Sequence, residues 1–146
     1  MNVSKVMISK EEIELKVKEI ASKIEKDYEG QELFVIGVLK GACVFVSDLI
    51  REINLPVTLD FMAVSSYGMS TESSGIVRII KDLDMDITGM NVLIVEDIID
   101  TGLTLNYLRE YLAARHVKSL KICTLLDKDR KSTRLNSSHH QLTRMP

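Results

Sequence analysis

The chain has 146 residues, 45% of them apolar, which suits one domain with a core of its own. No stretch approaches the ~20 apolar residues of a membrane span, and the N-terminus, with Lys5, Lys10, Glu11 and Glu12, lacks the apolar centre of a secretory signal, so a cytoplasmic location is the default. The formal charge of -2 conceals a split, because from Asp129 onward four basic residues face one acid; the remaining body, 1–128, is net acidic, which speaks against nucleic acid as the main partner.

Ser9-Lys-Glu-Glu12 has the form of a capping box, and Ile13, Val17, Ile20 and Ile24 follow at helical spacing. An amphipathic helix is expected from Ser9 to about Lys26, ended by Tyr28-Glu-Gly30. Leu33-Phe-Val-Ile-Gly-Val38 reads as the first core strand, running into Leu39-Lys-Gly-Ala42. A helix from about Ala42 to Arg51 is expected to pack behind it through Val44, Phe45, Leu49 and Ile50. Cys43 and Cys123 lie in apolar segments without a metal-ligand spacing or neighbouring histidines, so both are expected as buried free thiols.

Pro56 opens an extended segment, Val57 to Ser65. The polar, glycine-bounded stretch Ser66-Tyr-Gly-Met-Ser-Thr-Glu-Ser-Ser-Gly75 follows, long for a hairpin and suited to a lid or a connection. Strand character resumes at Ile76 to Ile80. Lys81-Asp-Leu-Asp-Met-Asp86 has no loop geometry of a calcium site around it and is expected as a solvated connector before the Thr88-Gly89 turn.

Asn91 to Val95 is apolar without polar alternation, as in a parallel strand covered on both faces, and charge appears where it is expected to stop. In an open α/β sheet, ligands bind outside the carboxyl ends of the strands, which places Glu96, Asp97 and Asp100 at the mouth of a crevice. Asp100-Thr-Gly-Leu-Thr104 adds a turn freed by Gly102, two hydroxyls and the amides of a helix start, the parts of an anion cradle. The plainer reading has Asp100 or Thr101 merely cap the next helix. Against it, three carboxylates at one strand end repel one another unless a cation or donor groups compensate. The next helix is expected from Leu103 to about Ala114, with Leu105, Leu108 and Leu112 at core spacing and His116 on the surface; Lys118 to Leu126 is the last expected strand, leading to Asp127-Lys128.

The wording Val95-Glu-Asp-Ile-Ile-Asp-Thr-Gly102 closely resembles the phosphoribosyl-pyrophosphate signature of the type I phosphoribosyltransferases, in its hypoxanthine-guanine branch. Asp60-Phe-Met-Ala-Val-Ser-Ser-Tyr-Gly68 is close to the bacterial form of that branch. The resemblance covers nearly all of residues 6–128 and implies an α/β fold, a mostly parallel twisted sheet flanked by helices, with the family's C-terminal part missing. It implies Mg²⁺-dependent transfer of ribose 5-phosphate from phosphoribosyl pyrophosphate to N9 of hypoxanthine or guanine, in purine salvage. By the same resemblance Leu39-Lys40-Gly41 is the pyrophosphate loop, entered by a non-proline cis peptide bond. Glu96 and Asp97 would take the ribose hydroxyls and the metal, Asp100 to Thr104 (Thr101, Gly102 and Leu103 included) the 5-phosphate, and Asp100 the purine N7 proton. Lys128 would contact the purine's exocyclic oxygen, and the loop starting at Ser66-Tyr67 would close over the site. Family members commonly form dimers or tetramers. Alternatives are a phosphoribosyltransferase for adenine or a pyrimidine, against which Lys128 speaks, and a regulatory RNA-binding relative, against which the acidic body speaks.

Residues 129–146 break the pattern: they have no core period, few apolar residues and a basic balance. The segment Asp129 to His139 resembles a translated sequencing adapter, with Thr143-Arg-Met-Pro146 similar to a downstream part of it, so the tail is expected to be non-native and outside the fold. Its His139-His140 pair and its arginines are therefore given no metal or anion role.

Overall fold

A computed structural model of the chain describes residues 9–67, 76–99, 102–127 and 132–136. The element order is α1 (Lys10–Asp27), β1 (Leu33–Leu39), α2 (Cys43–Glu52), β2 (Val57–Tyr67), β3 (Ile76–Lys81), β4 (Asn91–Ile99), α3 (Leu103–Ala113), β5 (Ser119–Asp127) and β6 (Ser132–Asn136). They form one sheet in the order β3-β2-β1-β4-β5-β6. The inner four strands are parallel, and the two edge strands pair antiparallel.

Both faces of the inner strands are covered, so these strands are apolar throughout, and alternate residues serve opposite cores. Leu33, Val35, Leu93, Val95 and Cys123 face α1 and α2, which pack through Val17, Ile20, Ile24, Phe45, Val46 and Leu49. Phe34, Ile36, Val92, Ile94, Leu120 and Ile122 face Leu105, Leu108 and Leu112 of α3. Beside α3 on that face lies the connector between β3 and β4, which contributes Ile87, wholly buried.

The start of α1 follows from its sequence. Ser9 Oγ accepts from the Glu12 amide at 3.1 Å, and the Glu12 carboxylate accepts from the Ser9 amide at 3.0 Å. A cap of this kind is worth ~1 kcal/mol. At the amino ends of the strands the buried Asn91 donates to Gln31 Oε1 at 2.9 Å and accepts from Ser119 Oγ at 2.7 Å, stapling the starts of β4 and β5 to the entry of β1.

Five sequence expectations change. The extended segment read as Val57 to Ser65 runs on through Ser66 and Tyr67, read as the loop's start, because their backbones pair with Val77 and Ile76 of β3. Val44 is 71% exposed rather than in the core, and Cys43 is exposed rather than buried. Four residues in a row, Cys43-Val-Phe-Val46, cannot all lie on one helix face, and Phe45 and Val46 hold the inner one. Cys123 is buried as expected, and loss of solvent pushes its thiol pKa up to about 12. The strand read as Asn91 to Val95 runs on to Ile99, because its ladder with β5 continues through Glu96↔Thr124 and Ile99↔Asp127. Within the tail expected to lie outside the fold, Ser132–Asn136 pairs with β5. The exposed backbone of a strand edge accepts an extended segment of almost any sequence. Residues 129–131 and 137–146 lie outside the described residues.

Candidate active site

The sheet places the two predicted loops side by side. β1 pairs with β2 on one side as far as Leu39↔Ala63, but with β4 on the other only as far as Gly37↔Val95. Beyond that level β1 and β4 part, and the crevice of the topological switch point opens between their carboxyl ends. Charge therefore enters β4 where its β1 partner ends, not where the strand ends. Glu96 is the first residue past the divergence; it is half-buried and remains paired with Thr124 of β5.

On the β1 side the chain turns at Lys40-Gly41, and the Leu39–Lys40 peptide bond is cis. Lys40 and Gly41 are exposed. The Cys43 amide donates to the Lys40 carbonyl at 3.2 Å, tying the turn to the start of α2, which has no side-chain cap and no acid in its first turn. On the β4 side Gly102 caps α3 with φ 85, a left-handed conformation that glycine adopts freely. Among the described residues no side chain caps α3 or brings a carboxylate into its first turn, and a helix start of this kind carries positive potential and unpaired amides. Thr104 is half-buried within that turn. The expected turn-and-helix start is thus present at Gly102, Leu103 and Thr104.

Asp100, Thr101 and Lys128 lie outside the described residues, as do the side chains of Ser66, Tyr67, Asp97 and Leu103, whose backbones belong to β2, β4 and α3. Among the described residues no three His, Cys, Asp or Glu side chains form a metal-binding group. The donor chemistry nonetheless suits Mg²⁺, a hard cation held by one or two carboxylates together with substrate oxygens and water. Glu96, on β4 just past the divergence from β1, would offer one such carboxylate.

A second polar assembly stands behind α3, built from side chains that no local pattern brings together. Asp82, expected in a solvated connector, accepts from the Tyr111 hydroxyl and from Arg115 Nη2, the latter at 2.7 Å, while its other oxygen accepts from the Leu83 amide at 2.7 Å. Arg115 also reaches the Tyr111 hydroxyl at 2.8 Å and lies over the Tyr111 ring at 4.8 Å. Desolvation opposes the Asp82 charge, but the bonds from Tyr111, Leu83 and Arg115 outweigh it and hold the carboxyl below its ordinary value. Asp60 behaves alike: desolvation is overcome by the amides of Asp84 and Phe61 and by the Lys81 ammonium 3.5 Å away. The side-chain partners Lys81, Tyr111 and Arg115 lie 21 to 33 residues from the carboxylates they hold, beyond the reach of any local pattern. His116 is exposed as expected, with φ 61, and its carbonyl accepts from Gly89 at 2.9 Å.

A family model of the phosphoribosyl transferase domain matches residues 7–143. A hypoxanthine-guanine phosphoribosyltransferase of Bacillus subtilis is 54% identical, over 87% of this chain and 71% of its own length. One from Mycobacterium avium is 51% identical over 87% of this chain, which spans 66% of that relative. The fold agrees with a crystal structure of a hypoxanthine-guanine phosphoribosyltransferase from Bacillus anthracis, with a TM-score of 0.81 at 53% identity, covering 86% of this chain and 74% of the other. Among the described residues no helix is long and apolar enough to cross a membrane. With the crevice between β1 and β4, the cis bond before Lys40 and the glycine-capped start of α3 all in place, the chain belongs to the hypoxanthine-guanine phosphoribosyltransferase family.

Proposed function

We propose that the protein to which this chain belongs transfers ribose 5-phosphate from phosphoribosyl pyrophosphate to N9 of hypoxanthine or guanine, yielding IMP or GMP and pyrophosphate. The observation that carries this reading is the divergence of β1 and β4 beyond Gly37↔Val95, which sets a lysine-glycine turn and a glycine-capped helix start on opposite walls of one crevice. The amides from Gly102 to Thr104, with the hydroxyls of Thr101 and Thr104, hold the 5-phosphate. Lys40 and Gly41 hold the pyrophosphate. Glu96 and Asp97 take the ribose hydroxyls and would hold Mg²⁺, which when bound neutralises charge on the leaving pyrophosphate.

As the bond from C1′ to the pyrophosphate oxygen lengthens, positive charge grows on the sugar ring. Carboxylates fixed beside it favour that charged arrangement over the neutral ground state. Asp100 accepts the proton from N7 of the purine. Lys128 offers only donors and so prefers an oxygen to an amino group at purine position 6. Ser66 and Tyr67 open the segment that closes over the site and excludes water from the reacting sugar.

Residues 1–128 form the family unit in this reading, and 129–146 do not belong to it. The break in charge and pattern after Lys128 supports that boundary, and the 87% of the chain that the relatives match is close to the share that 1–128 makes up.

The test joins residues 1–128 to the C-terminal third of the Bacillus subtilis relative and follows IMP and GMP formation with Mg²⁺ by absorbance. Activity is expected, and Asp100→Ala should lower kcat by roughly 10²-fold or more. A folded, inactive chimera would exclude the transferase reading and favour a ligand-binding relative.

A further inference from the structure

The polar assembly behind α3 does more than fasten a loop. α1 and α2 share one face of the sheet and brace each other, whereas α3 lies on the opposite face with the connector 82–90 as its neighbour. The stripe Leu105, Leu108 and Leu112 holds α3 down through non-directional contacts. Such contacts resist lifting more than sliding or rotation. Directional bonds at the side of the helix resist both, and Asp82 supplies two of them, to Tyr111 on the last turn and to Arg115 just beyond it. Tyr111 is itself braced by stacking on Tyr107, with ring centroids 6.1 Å apart and planes 13° from parallel.

The anchor of Asp82 is fixed in turn. Its second oxygen is held by the Leu83 amide, its carbonyl accepts from Lys81 Nζ at 3.0 Å, and Lys81 bonds the Phe61 carbonyl at 3.0 Å and lies 3.5 Å from Asp60. A chain of polar contacts thus runs from β2 through the end of β3 to α3. The helix is rigid over its 11 residues, so a setting imposed at Tyr111 is transmitted to Gly102.

We propose that Asp82 is a positioning residue for the phosphate cradle: by bonding Tyr111 and Arg115 it sets the slide and rotation of α3 on the sheet, and so the place of the amides at Gly102 to Thr104. The inference rests on the reading of that helix start as the 5-phosphate site. It matters because catalysis and binding at such a site tolerate only small misplacement of the donors.

Titration calorimetry of ribose 5-phosphate against the 146-residue chain tests it, with Asp82→Asn, Tyr111→Phe and, as a control, Val17→Ala under α1 on the far face; thermal unfolding is recorded for each. Asp82→Asn should raise Kd about fivefold or more, and Tyr111→Phe, which keeps the ring and the Arg115 pair, about two- to threefold. Val17→Ala should lower the melting temperature at least as much while leaving Kd unchanged. If the parent chain binds and Asp82→Asn matches it or the control in Kd, the positioning role is overturned and the site stands. If the parent chain itself fails to bind, the reading of the site falls and the inference with it.

Discussion

Gly37 shows how much one missing methyl group decides. It sits in the middle of β1, where glycine costs stability, yet a Cβ built there would lie 2.8 and 2.9 Å from the Phe61 ring and 3.3 Å from Val46. Phe61, its partner on β2, covers the strand at the level where β1 and β4 separate. Gly37→Ala should therefore destabilise the chain by ~1–3 kcal/mol, seen as a lower urea midpoint at an unchanged slope. Adding Phe61→Leu should recover part of the loss. The sequence showed a glycine inside an apolar run, but the ring that demands it lies 24 positions away and only the strand register brings the two together. At Cys43 and Val44 the failure was of another kind: an unbroken apolar run conceals which of its members the helix turns outward.

At the scale of elements, sequence served best where a single periodicity acts alone. The capping box of α1 and the leucine stripe of α3 stand where spacing placed them, and Leu39-Lys-Gly41 forms its turn at the expected end of β1. In the connector 82–86, Asp84 and Asp86 are exposed as expected of a solvated segment while Asp82 is half-buried, because acids that look alike in sequence differ in what they meet. Asp82 and Asp60 are held as anions by partners on other elements, whereas Asp86 bonds the nearby Thr88 amide and hydroxyl. These pairings have a pH signature. Carboxyls whose folded pKa lies below the unfolded value of ~3.9 add stability that is complete above that value and lost as pH falls toward the folded one. The melting temperature should thus hold from neutrality to about pH 5 and decline below it. Asp82→Asn should start lower at neutral pH and fall less steeply into acid. The Asp82–Arg115 pair is partly open to solvent, so salt should weaken its share.

Across the whole molecule the sheet has two edges, β3 and β6, and the second belongs to the segment whose composition departs from the rest. No hydrophobic period foretold β6, because its pairing is a matter of backbone groups on β5 seeking partners. A chain ending at Lys128 should keep the helix and sheet signals of the parent by circular dichroism but expose the β5 ladder. Its mass by light scattering should accordingly rise with concentration more steeply than the parent's. The order of the inner strands has a wider consequence. Lys40 and Glu96 are separated by more than fifty positions along the chain, yet their spacing is fixed by two adjacent strands in a set register. Between them the chain passes through α2, β2, β3 and the connector before it returns beside β1, and that path does not set the interval. The sheet acts as a ruler, and the stretch between β2 and β3 is free to lengthen or shorten over evolutionary time while Lys40 and Glu96 keep the same interval.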